Sequence, residues 1–249
     1  MTRRHAEHVM GTVFSFDVRD GDFEHAVAEA VDWLHHVDET FSTYRPESVV
    51  SRLDRGELTL ADCPPEVAEV LRLCDDVSRA SHGYFTSHPD GRLDPSAVVK
   101  GWAIERASRI LTRAGAVNHC VNGGGDVQLT GSAAPGSPWR VGIAHPLRPG
   151  ELAAVVTGRD LAVATSGTAE RGAHILDPHT HRPATALASI TLVGKSLTLT
   201  DAYATAAFAM GHAARDWVEE LEGFGAFAVT AFGATWHTGD FPELAILAD

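Results

Sequence analysis

Asp201 and Thr205 carry oxygen ligands four residues apart, in a segment whose apolar residues recur at helical spacing. Side chains at this separation share one face of a helix, so the carboxylate and the hydroxyl point in the same direction. With neighbouring carbonyl groups they form a set of hard oxygen ligands suited to Mg²⁺. An acidic residue in the first helical turn is also expected for its interaction with the helix dipole. From spacing alone, this structural explanation is the stronger one.

A histidine and a carboxylate lie close together in the segment from Thr165 to Pro183. The segment opens with Thr165–Gly167, which places two hydroxyl groups at the end of a predicted strand. His174 then precedes Asp177 by three residues, and a histidine near a carboxylate is the minimum requirement for general base catalysis. The chain has 14 histidines, so a polar loop with a capping aspartate explains the pattern as well.

Two further segments place glycine beside a charged residue. Asn122-Gly123-Gly124-Gly125-Asp126 lies between two predicted strands. Its glycines allow the backbone to approach a phosphate or a flavin ring closely, with free N–H groups. It is not a P-loop, because no Lys-Ser/Thr pair follows and no helix begins there, and a plain strand turn is the alternative. In Lys100-Gly101, at a predicted helix start, Lys100 is either a phosphate ligand or a solvated side chain.

The pattern around these residues predicts the elements that must position them. Helical spacing predicts helices at 23–41, 64–80, 97–114, 200–210 and 215–221. Strands are predicted at 9–19, 117–121, 126–130, 139–143, 152–157, 161–164, 189–193, 226–232 and 235–237. Segments 42–62 and 81–94 are predicted as loops. Because helices and strands are clustered and not strictly alternating, the fold class is predicted as α+β, in one domain over residues 1–249.

The charge balance excludes one large class of partners. The chain has 20 Lys and Arg against 33 Asp and Glu, a net charge of −13. An acidic surface repels phosphate backbones, so no nucleic acid partner is expected. The cysteines Cys63, Cys74 and Cys120 form no CxxC pair and suit reduced thiols. Neither a signal peptide, a lipid-attachment cysteine nor a membrane-spanning run is visible, so the expected location is cytoplasmic.

The order and spacing of several short motifs are distinctive when they are taken together. They are Met10-Gly11-Thr12; Phe41-Ser42-Thr43-Tyr44-Arg45 with Ser48 and Ser51-Arg52-Leu53; Asp94 with Val99-Lys100-Gly101-Trp102-Ala103; Gly124-Gly125-Asp126; Thr165-Ser166-Gly167; His174-Ile175-Leu176-Asp177-Pro178-His179-Thr180; and Asp201-Ala202-Tyr203-Ala204-Thr205-Ala206. In these segments, from Met10 to at least Gly211, the chain resembles the ApbE family, the FAD:protein FMN transferases.

The resemblance implies a fold and a reaction. The implied fold has mixed, largely antiparallel sheets with flanking helices around a central FAD cleft. Enzymes of this family cleave the pyrophosphate of FAD with Mg²⁺, move FMN onto a Thr or Ser hydroxyl of an acceptor flavoprotein, and release AMP. Some relatives also hydrolyse FAD to FMN and AMP. Mn²⁺ favours the same oxygen ligands and is an alternative metal.

The resemblance also implies roles for individual residues. Asp201 and Thr205 hold the metal with their side chains, and the backbone carbonyl of Val99 completes the protein ligands. His174 is the candidate base for the incoming hydroxyl, with Asp177 to orient it. The remaining matched residues are expected to bind FAD, with Tyr44 stacked on adenine. This set is Met10, Ser42, Tyr44, Arg45, Asp94, Lys100, Gly124, Gly125, Asp126, Thr165, Ser166 and Gly167.

The chain departs from the family pattern at a few positions. Thr86 stands where the family usually has Asp in Gly-x-Phe-Asp, and His181 stands where it has Gly in Asp-Pro-x-Thr-Gly. Thr168 follows the Thr-Ser-Gly motif where Tyr or Asp is common. The departures at Thr86 and His181 support one alternative, an FAD-binding protein without catalysis. A second alternative, an FAD pyrophosphatase giving FMN and AMP, needs the same metal and cleft with water as the nucleophile.

Overall fold

The computed structural model describes residues 2–168, 172 and 175–241, with the backbone alone of 244–246. His174 therefore lies outside the described residues. The helices are α1 (Glu24–Phe41), α2 (Val49–Asp54), α3 (Pro65–Ala80), α4 (Ser96–Arg113), α5 (Leu197–Met210) and α6 (Ala214–Glu219). The strands are β1 (Arg3–Val9), β2 (Thr12–Val18), β3 (His119–Gly123), β4 (Asp126–Thr130), β5 (Trp139–Ala144), β6 (Leu152–Gly158), β7 (Ala162–Gly167), β8 (Leu176–Asp177), β9 (Arg182–Pro183), β10 (Leu187–Gly194), β11 (Gly225–Thr230), β12 (Thr235–His237) and β13 (Leu244–Ile246).

An eight-stranded sheet in the order β1-β2-β3-β4-β7-β10-β11-β12 forms the centre of the fold. The β5–β6 hairpin leaves this sheet and forms a second one in the order β13-β6-β5, while β8 and β9 form a small ribbon. Each of these pairings within the described part of the chain is antiparallel. The predicted α+β class with largely antiparallel sheets is confirmed. The FAD cleft and the single domain stay predictions.

Helices cover one face of the main sheet and the three-stranded sheet covers the other. β10 shows this arrangement, since every one of its residues is buried. Its Ile190 and Leu192 join the core shared with α1, α4 and α5, whereas Val193 packs with Ala154 and Val156 of β6. Successive side chains of a strand point to opposite faces, so a strand covered on both sides is apolar without alternation.

Helix α5 lies at the centre of the helical layer. It packs against α4, β7 and β10, and α4 in turn packs against α1, β3 and β4. Buried alanines of α5, such as Ala202 and Ala206, allow this close packing on several sides. The helices that carry Lys100 and Asp201 therefore pack directly against each other.

The predicted strand at 9–19 is wrong in its extent. The chain instead forms a β1–β2 hairpin whose two-residue turn is Met10–Gly11, with φ of 51° and 71°. Both turn residues need left-handed φ in such a hairpin, which matches the right-handed twist of the strands. β1 carries charged residues, including Arg3, Arg4 and Glu7, on a sheet edge, so it lacks the apolar alternation by which strands are predicted.

The predicted loop at 42–62 contains helix α2 and a 3₁₀ turn at Leu60–Asp62. Ser48 begins α2, because its Oγ accepts the N–H of Ser51 at 3.1 Å. Six residues are too few for a helical periodicity to be read from sequence. No helix among the described residues combines the length and apolar character needed to cross a membrane.

Candidate functional site

Lys100, Asp126 and Asp201 form a buried ionic cluster, called here the Lys100 cluster. The ammonium of Lys100 contacts Oδ2 of Asp126 and lies 3.3 Å from Oδ1 of Asp201. Asp126 and Asp201 are 1% and 3% exposed. A buried carboxylate is stable only when it is paired and hydrogen-bonded, so the structure has brought three distant polar residues together at a considerable desolvation cost.

A hairpin turn places Asp126 in the cluster. Gly124 and Gly125, with φ of 59° and 93°, form the two-residue turn between β3 and β4, and Asp126 is the first residue after it. Oδ1 of Asp126 accepts the backbone N–H of Thr165 at 2.9 Å. The turn thus directs the carboxylate between β7 and Lys100, where both of its oxygens have partners.

A glycine in α4 allows the other two members to meet. A Cβ at Gly101 would lie 2.5 Å from the carbonyl oxygen of Leu197 and 2.9 Å from Cβ of Asp201. The absence of a side chain lets α4 and α5 cross at close range, and the N–H of Gly101 donates to Oδ2 of Asp201 at 3.0 Å. Lys100, the neighbouring residue, is thereby brought to Oδ1 of the same carboxylate.

The cluster contains more negative than positive charge. Burial raises the pKa of Asp201, Lys100 lowers it in part, and the nearby charge of Asp126 raises it again. Burial lowers the pKa of the Lys100 ammonium, but attraction to Asp201 and Asp126 outweighs burial and leaves that pKa raised. One ammonium is therefore paired with two carboxylates. Additional positive charge next to Asp201 would stabilise the ionised form of that residue.

Hydroxyl groups border the cluster on the β7 and α5 sides. Oγ of Ser166 lies 3.5 Å from Oγ1 of Thr205, which also donates to the carbonyl of Asp201 at 3.3 Å. Thr165 Oγ1 lies 2.8 Å from Thr191 Oγ1 on β10. Thr165–Gly167 was expected after a strand end, but pairing with β10 extends β7 through all three residues. The predicted common face of Asp201 and Thr205 is present.

The donor set fits a hard divalent cation such as Mg²⁺. Asp126 and Asp201 supply carboxylate oxygens, and Ser166 and Thr205 supply hydroxyl oxygens, all of the kind that Mg²⁺ prefers. Within the described residues, no three His, Cys, Asp or Glu side chains form a cation cage. Mg²⁺ commonly keeps water and substrate phosphates as ligands and uses one or two protein carboxylates, so a complete cage is not required.

The amides of the glycine turn are engaged within the protein. Gly124 donates its N–H to the carbonyl of Val13 at 3.3 Å, and Gly125 donates to Oδ1 of Asn122 at 3.1 Å. The expectation of free N–H groups for a phosphate is therefore wrong, because the turn satisfies its own donors. A Cβ at Gly124 would lie 3.2 Å from Thr12 Oγ1, which places this turn beside the Met10–Gly11 turn.

Ser42, Tyr44 and Arg45 lie in the connection between α1 and α2. The carbonyl of Ser42 accepts the Oγ–H groups of Ser48 and Ser51 at 2.7 and 3.3 Å. Arg45 donates to Asp38 at 2.9 Å, and Tyr44 is 95% exposed. Among the hydrogen bonds and ion pairs of the described residues, none joins these three to the Lys100 cluster.

Asp94 lies just before α4 and binds the first residue of that helix. Its Oδ1 accepts the N–H of Ser96 at 3.0 Å, and its own N–H donates to the carbonyl of Ser87 at 2.7 Å. Val99, the predicted carbonyl ligand, lies on the same helix and directly precedes Lys100. The motif around Lys100 therefore lies in the second turn of α4, just after the segment that Asp94 binds.

Asp177 closes a turn between β8 and β9. Its Oδ1 accepts the N–H of His179 at 2.9 Å and its Oδ2 accepts the hydroxyl of Thr180 at 2.9 Å. Burial raises the pKa of Asp177, but these hydrogen bonds outweigh it and hold the pKa below its usual range. This geometry matches the capping explanation. His174, the proposed partner of Asp177, lies outside the described residues.

Two buried polar side chains next to the cluster were missed from sequence. Glu105 lies on α4 and Gln128 lies on β4, and both are hydrogen-bonded to the segment that begins α5. They are 93 and 69 residues away from their partners Thr198 and Leu197. Spacing was the signal that could have found them. Glu105 is four residues from Gly101 on a predicted helix, and Gln128 is two residues from Asp126 on a predicted strand, so each shares a face with a residue of the site.

Fold and site together define an α+β protein with a carboxylate–lysine site whose oxygen donors suit a hard cation. The chain belongs to the ApbE family, whose profile matches residues 10–88 and 86–228.

Similar proteins of known sequence carry one activity in their names. The chain is 32% identical over 207 residues to an FAD:protein FMN transferase of Rhodobacter capsulatus, covering 80% of this chain and 36% of the relative. It is 28% identical over 178 residues to an FAD:protein FMN transferase of Salmonella typhimurium, covering 67% of this chain and 51% of the relative. The chain thus spans between about a third and a half of the length of these relatives.

Solved structures share the fold. The ApbE protein of Thermotoga maritima superposes with a TM-score of 0.85 at 22% identity, covering 97% of this chain and 98% of the other. The flavin transferase ApbE of Vibrio cholerae superposes with a TM-score of 0.83 at 21% identity, covering 97% and 99%. At these identities the likeness establishes the fold.

Proposed function

We propose that this protein transfers the FMN half of FAD to a Thr or Ser hydroxyl of an acceptor flavoprotein, with Mg²⁺ and with release of AMP. The observation that carries the proposal is the contact of Lys100 with both Asp126 and Asp201. The membership of the chain in the ApbE family and the named activity of its relatives support it.

Mg²⁺ would be held by the side chains of Asp201 and Thr205 and by the backbone carbonyl of Val99. When bound, the metal supplies positive charge to phosphate oxygens. Mn²⁺ uses the same ligand types and is an alternative. The raised pKa of Asp201 supports this assignment, since a buried carboxylate beside a second carboxylate gains most from a cation.

The transfer breaks a phosphoanhydride bond and forms a phosphoester bond. The acceptor hydroxyl oxygen forms a bond to the phosphorus of the FMN half, and the bond from that phosphorus to the bridging oxygen breaks. The bridging oxygen leaves with AMP. Such a reaction needs charge neutralisation, alignment and a place for the hydroxyl proton, with little covalent chemistry from the protein.

The residues of this chain divide these tasks. Lys100 is proposed to line the FAD cleft beside the phosphates. Its ammonium already offsets part of the negative charge of Asp126 and Asp201, so the net positive charge that the phosphates need would come from the metal. His174 is the proposed base for the hydroxyl proton, and Asp177, which lies in the turn that follows, is proposed to orient it.

The neighbouring turns and loops are proposed to bind FAD. The Met10–Gly11 and Gly124–Gly125 turns lie side by side and would contact the flavin nucleotide through close backbone approach. Tyr44 is exposed and available to stack on adenine. The further FAD-binding residues proposed are Ser42, Arg45, Asp94, Asp126, Thr165, Ser166 and Gly167.

The proposal is tested by incubating the protein with FAD, Mg²⁺ and a flavoprotein domain that carries an acceptor Thr or Ser. Covalent flavin fluorescence is then read on a denaturing gel, and AMP is quantified. Asp201→Asn should abolish both signals and weaken Mg²⁺ binding. Asp216→Asn, at an exposed position of α6, is the matched control and should retain wild-type activity.

The alternatives give different results in the same assay. Release of FMN and AMP without acceptor, at a rate that the acceptor does not change, would indicate an FAD pyrophosphatase. Tight FAD binding with no AMP release at any Mg²⁺ or Mn²⁺ concentration would indicate a non-catalytic FAD-binding protein. Either outcome would replace the transferase assignment.

A further inference from the structure

We propose that Glu105 of α4 and Gln128 of β4 are positioning residues. They bind the first residues of α5 and thereby determine where Asp201 lies. The consequence for catalysis rests on the function proposed above.

The first turn of α5 takes its capping groups from other elements. The first N–H groups of a helix have no partner inside the helix. Ser196, which precedes α5, makes no side-chain bond to the N–H groups of its own helix. The N–H of Leu197 donates to Oε1 of Gln128 at 3.0 Å, and the N–H of Thr198 donates to Oε2 of Glu105 at 3.0 Å. β4 and α4 therefore supply the cap.

Glu105 makes the larger share of these contacts. Its Oε2 also accepts the hydroxyls of Ser196 at 2.6 Å and Thr198 at 2.7 Å. Burial raises the pKa of Glu105, but the hydrogen bonds from Ser196 and Thr198 outweigh it and leave the pKa lowered. Glu105 is thus an ionised group at a helix N-terminus, where the helix dipole stabilises negative charge.

Gln128 holds the same segment from the sheet side. Its Oε1 binds the N–H of Leu197, and its Nε2 donates to the carbonyl of Lys195 at 3.3 Å. These two bonds reach Lys195 and Leu197, the neighbours of Ser196 on either side. The hydroxyl of Ser196 itself donates to Glu105. The backbone entering α5 is therefore restrained at consecutive residues by two different elements.

The same two elements also carry the Lys100 cluster. Glu105 is four residues after Gly101 and so lies on the same face of α4, and Gly101 donates to Asp201. Gln128 is two residues after Asp126 and so lies on the same face of β4. Thr198 precedes Asp201 by about one helical turn. A rotation or slip of α5 at its start would consequently move the Asp201 carboxylate away from Gly101 and Lys100.

Four variants separate positioning from general stability. Glu105→Ala removes the three bonds to Ser196 and Thr198, and Glu105→Gln keeps an acceptor oxygen without the charge. Arg109→Gln removes the contact of Arg109 with the other carboxylate oxygen, Oε1, and serves as the surface control. Leu111→Ala opens a cavity lower on α4, where Leu111 is fully buried, and serves as the control for lost stability.

The main readout is hydrogen exchange at the Gly101 amide, which reports the position of Asp201 without metal or FAD. In Glu105→Ala, exchange at Gly101, Leu197 and Thr198 should rise well above the change in global unfolding. Leu111→Ala should raise these rates only in proportion to its loss of global stability. Glu105→Gln should restore most of the protection, and Arg109→Gln should match the wild type.

Metal binding and turnover provide the second readout. Mg²⁺ affinity, measured by calorimetry, should fall about 10- to 100-fold in Glu105→Ala. The kcat for AMP release should fall with it, while the KM for FAD changes little. Both controls should bind Mg²⁺ like the wild type. Should Glu105→Ala fail to fold, Ser196→Ala, which removes one bond to Glu105, is expected to show the same effects at smaller size.

Unchanged Gly101 exchange in folded Glu105→Ala would overturn the inference. So would an equal effect in Leu111→Ala, because loss of stability alone would then explain the result. Failure of the wild type to release AMP from FAD would overturn the proposed function and not this inference, since the exchange experiment requires neither FAD nor turnover.

Discussion

The backbone N–H of Gly101 donates a hydrogen bond to Oδ2 of Asp201 at 3.0 Å and so joins two helices 100 residues apart in sequence. A glycine is required at this crossing, because any side chain would meet the carbonyl of Leu197. The contact determines how deeply α4 and α5 pack and where Lys100 meets the two carboxylates.

Gly101→Ala should destabilise the protein and impair the proposed reaction. The added Cβ would lie 2.5 Å from the Leu197 oxygen and 2.9 Å from Asp201 Cβ, so the helices must separate. Overpacking of this kind costs about 1–3 kcal/mol of unfolding free energy. Chemical denaturation and AMP release measure the two effects.

Gly239→Ala is the matched control for this substitution. A Cβ at Gly239 would meet no atom within 4 Å, so its stability and activity should equal those of the wild type. Wild-type stability in Gly101→Ala would show that α4 and α5 can separate at no cost, contrary to the packing described.

Lys100→Met should leave two buried carboxylates without their ammonium. Removing one partner of a buried ion pair costs about 3–5 kcal/mol, because the remaining charge stays desolvated. Because the Lys100 side chain is partly exposed, the expected loss of unfolding free energy is near the lower end of this range. Urea unfolding in metal-free buffer measures it.

A second substitution tests whether the loss comes from charge. Lys100→Met combined with Asp126→Asn removes one negative charge as well, so the double variant should be more stable than the sum of the single changes predicts. Strict additivity of the two single variants would show that Lys100 and Asp126 are not coupled.

His181→Gly should stabilise the protein. His181 has a φ of 55° in the turn between β8 and β9, a conformation that costs an L-residue roughly 1 kcal/mol and costs glycine little. The melting temperature should therefore rise. His181→Ala removes the same imidazole but keeps Cβ, so a similar rise in that variant would assign the effect to the imidazole and contradict backbone strain as its cause.

Stability should fall as the pH is lowered below about 6.5, the ordinary pKa of histidine. Burial lowers the pKa of His119, with Asp20 and Asp160 offsetting this in part. Between the lowered folded-state pKa and about 6.5, the unfolded chain binds more protons than the folded chain, so unfolding becomes easier with acid. Above pH 6.5, His119 is neutral in both states and the folded protein has lost no stability through it.

His119→Gln isolates this contribution. Its amide can accept or donate one hydrogen bond to Ser108, which lies 2.8 Å from Nε2 of His119, and it does not titrate. Urea unfolding between pH 5 and 7.5 should therefore show a shallower decline with acid in the variant. Identical slopes in both proteins would exclude His119 as the source.

The sequence by itself determined the elements whose signals are local. The helices at 24–41, 65–80 and 96–113 were predicted within a residue or two at each end, and β4 was predicted at its observed bounds. Helical periodicity depends on neighbours three and four residues away, so it survives in a single sequence. The common face of Asp201 and Thr205 was predicted for the same reason, and the family was identified from short motifs.

Tertiary structure alone decided which of these groups meet. The pairing of Lys100 with Asp126 and Asp201 depends on a helix crossing and a hairpin turn that join residues 26 and about 100 positions apart. β1 was missed because it is a charged edge strand that is stabilised by β2. The capping of α5 by Glu105 and Gln128 was missed because its donors and acceptors come from different elements. Contacts between distant segments depend on the packing of the whole chain, so they cannot be predicted from a local sequence pattern.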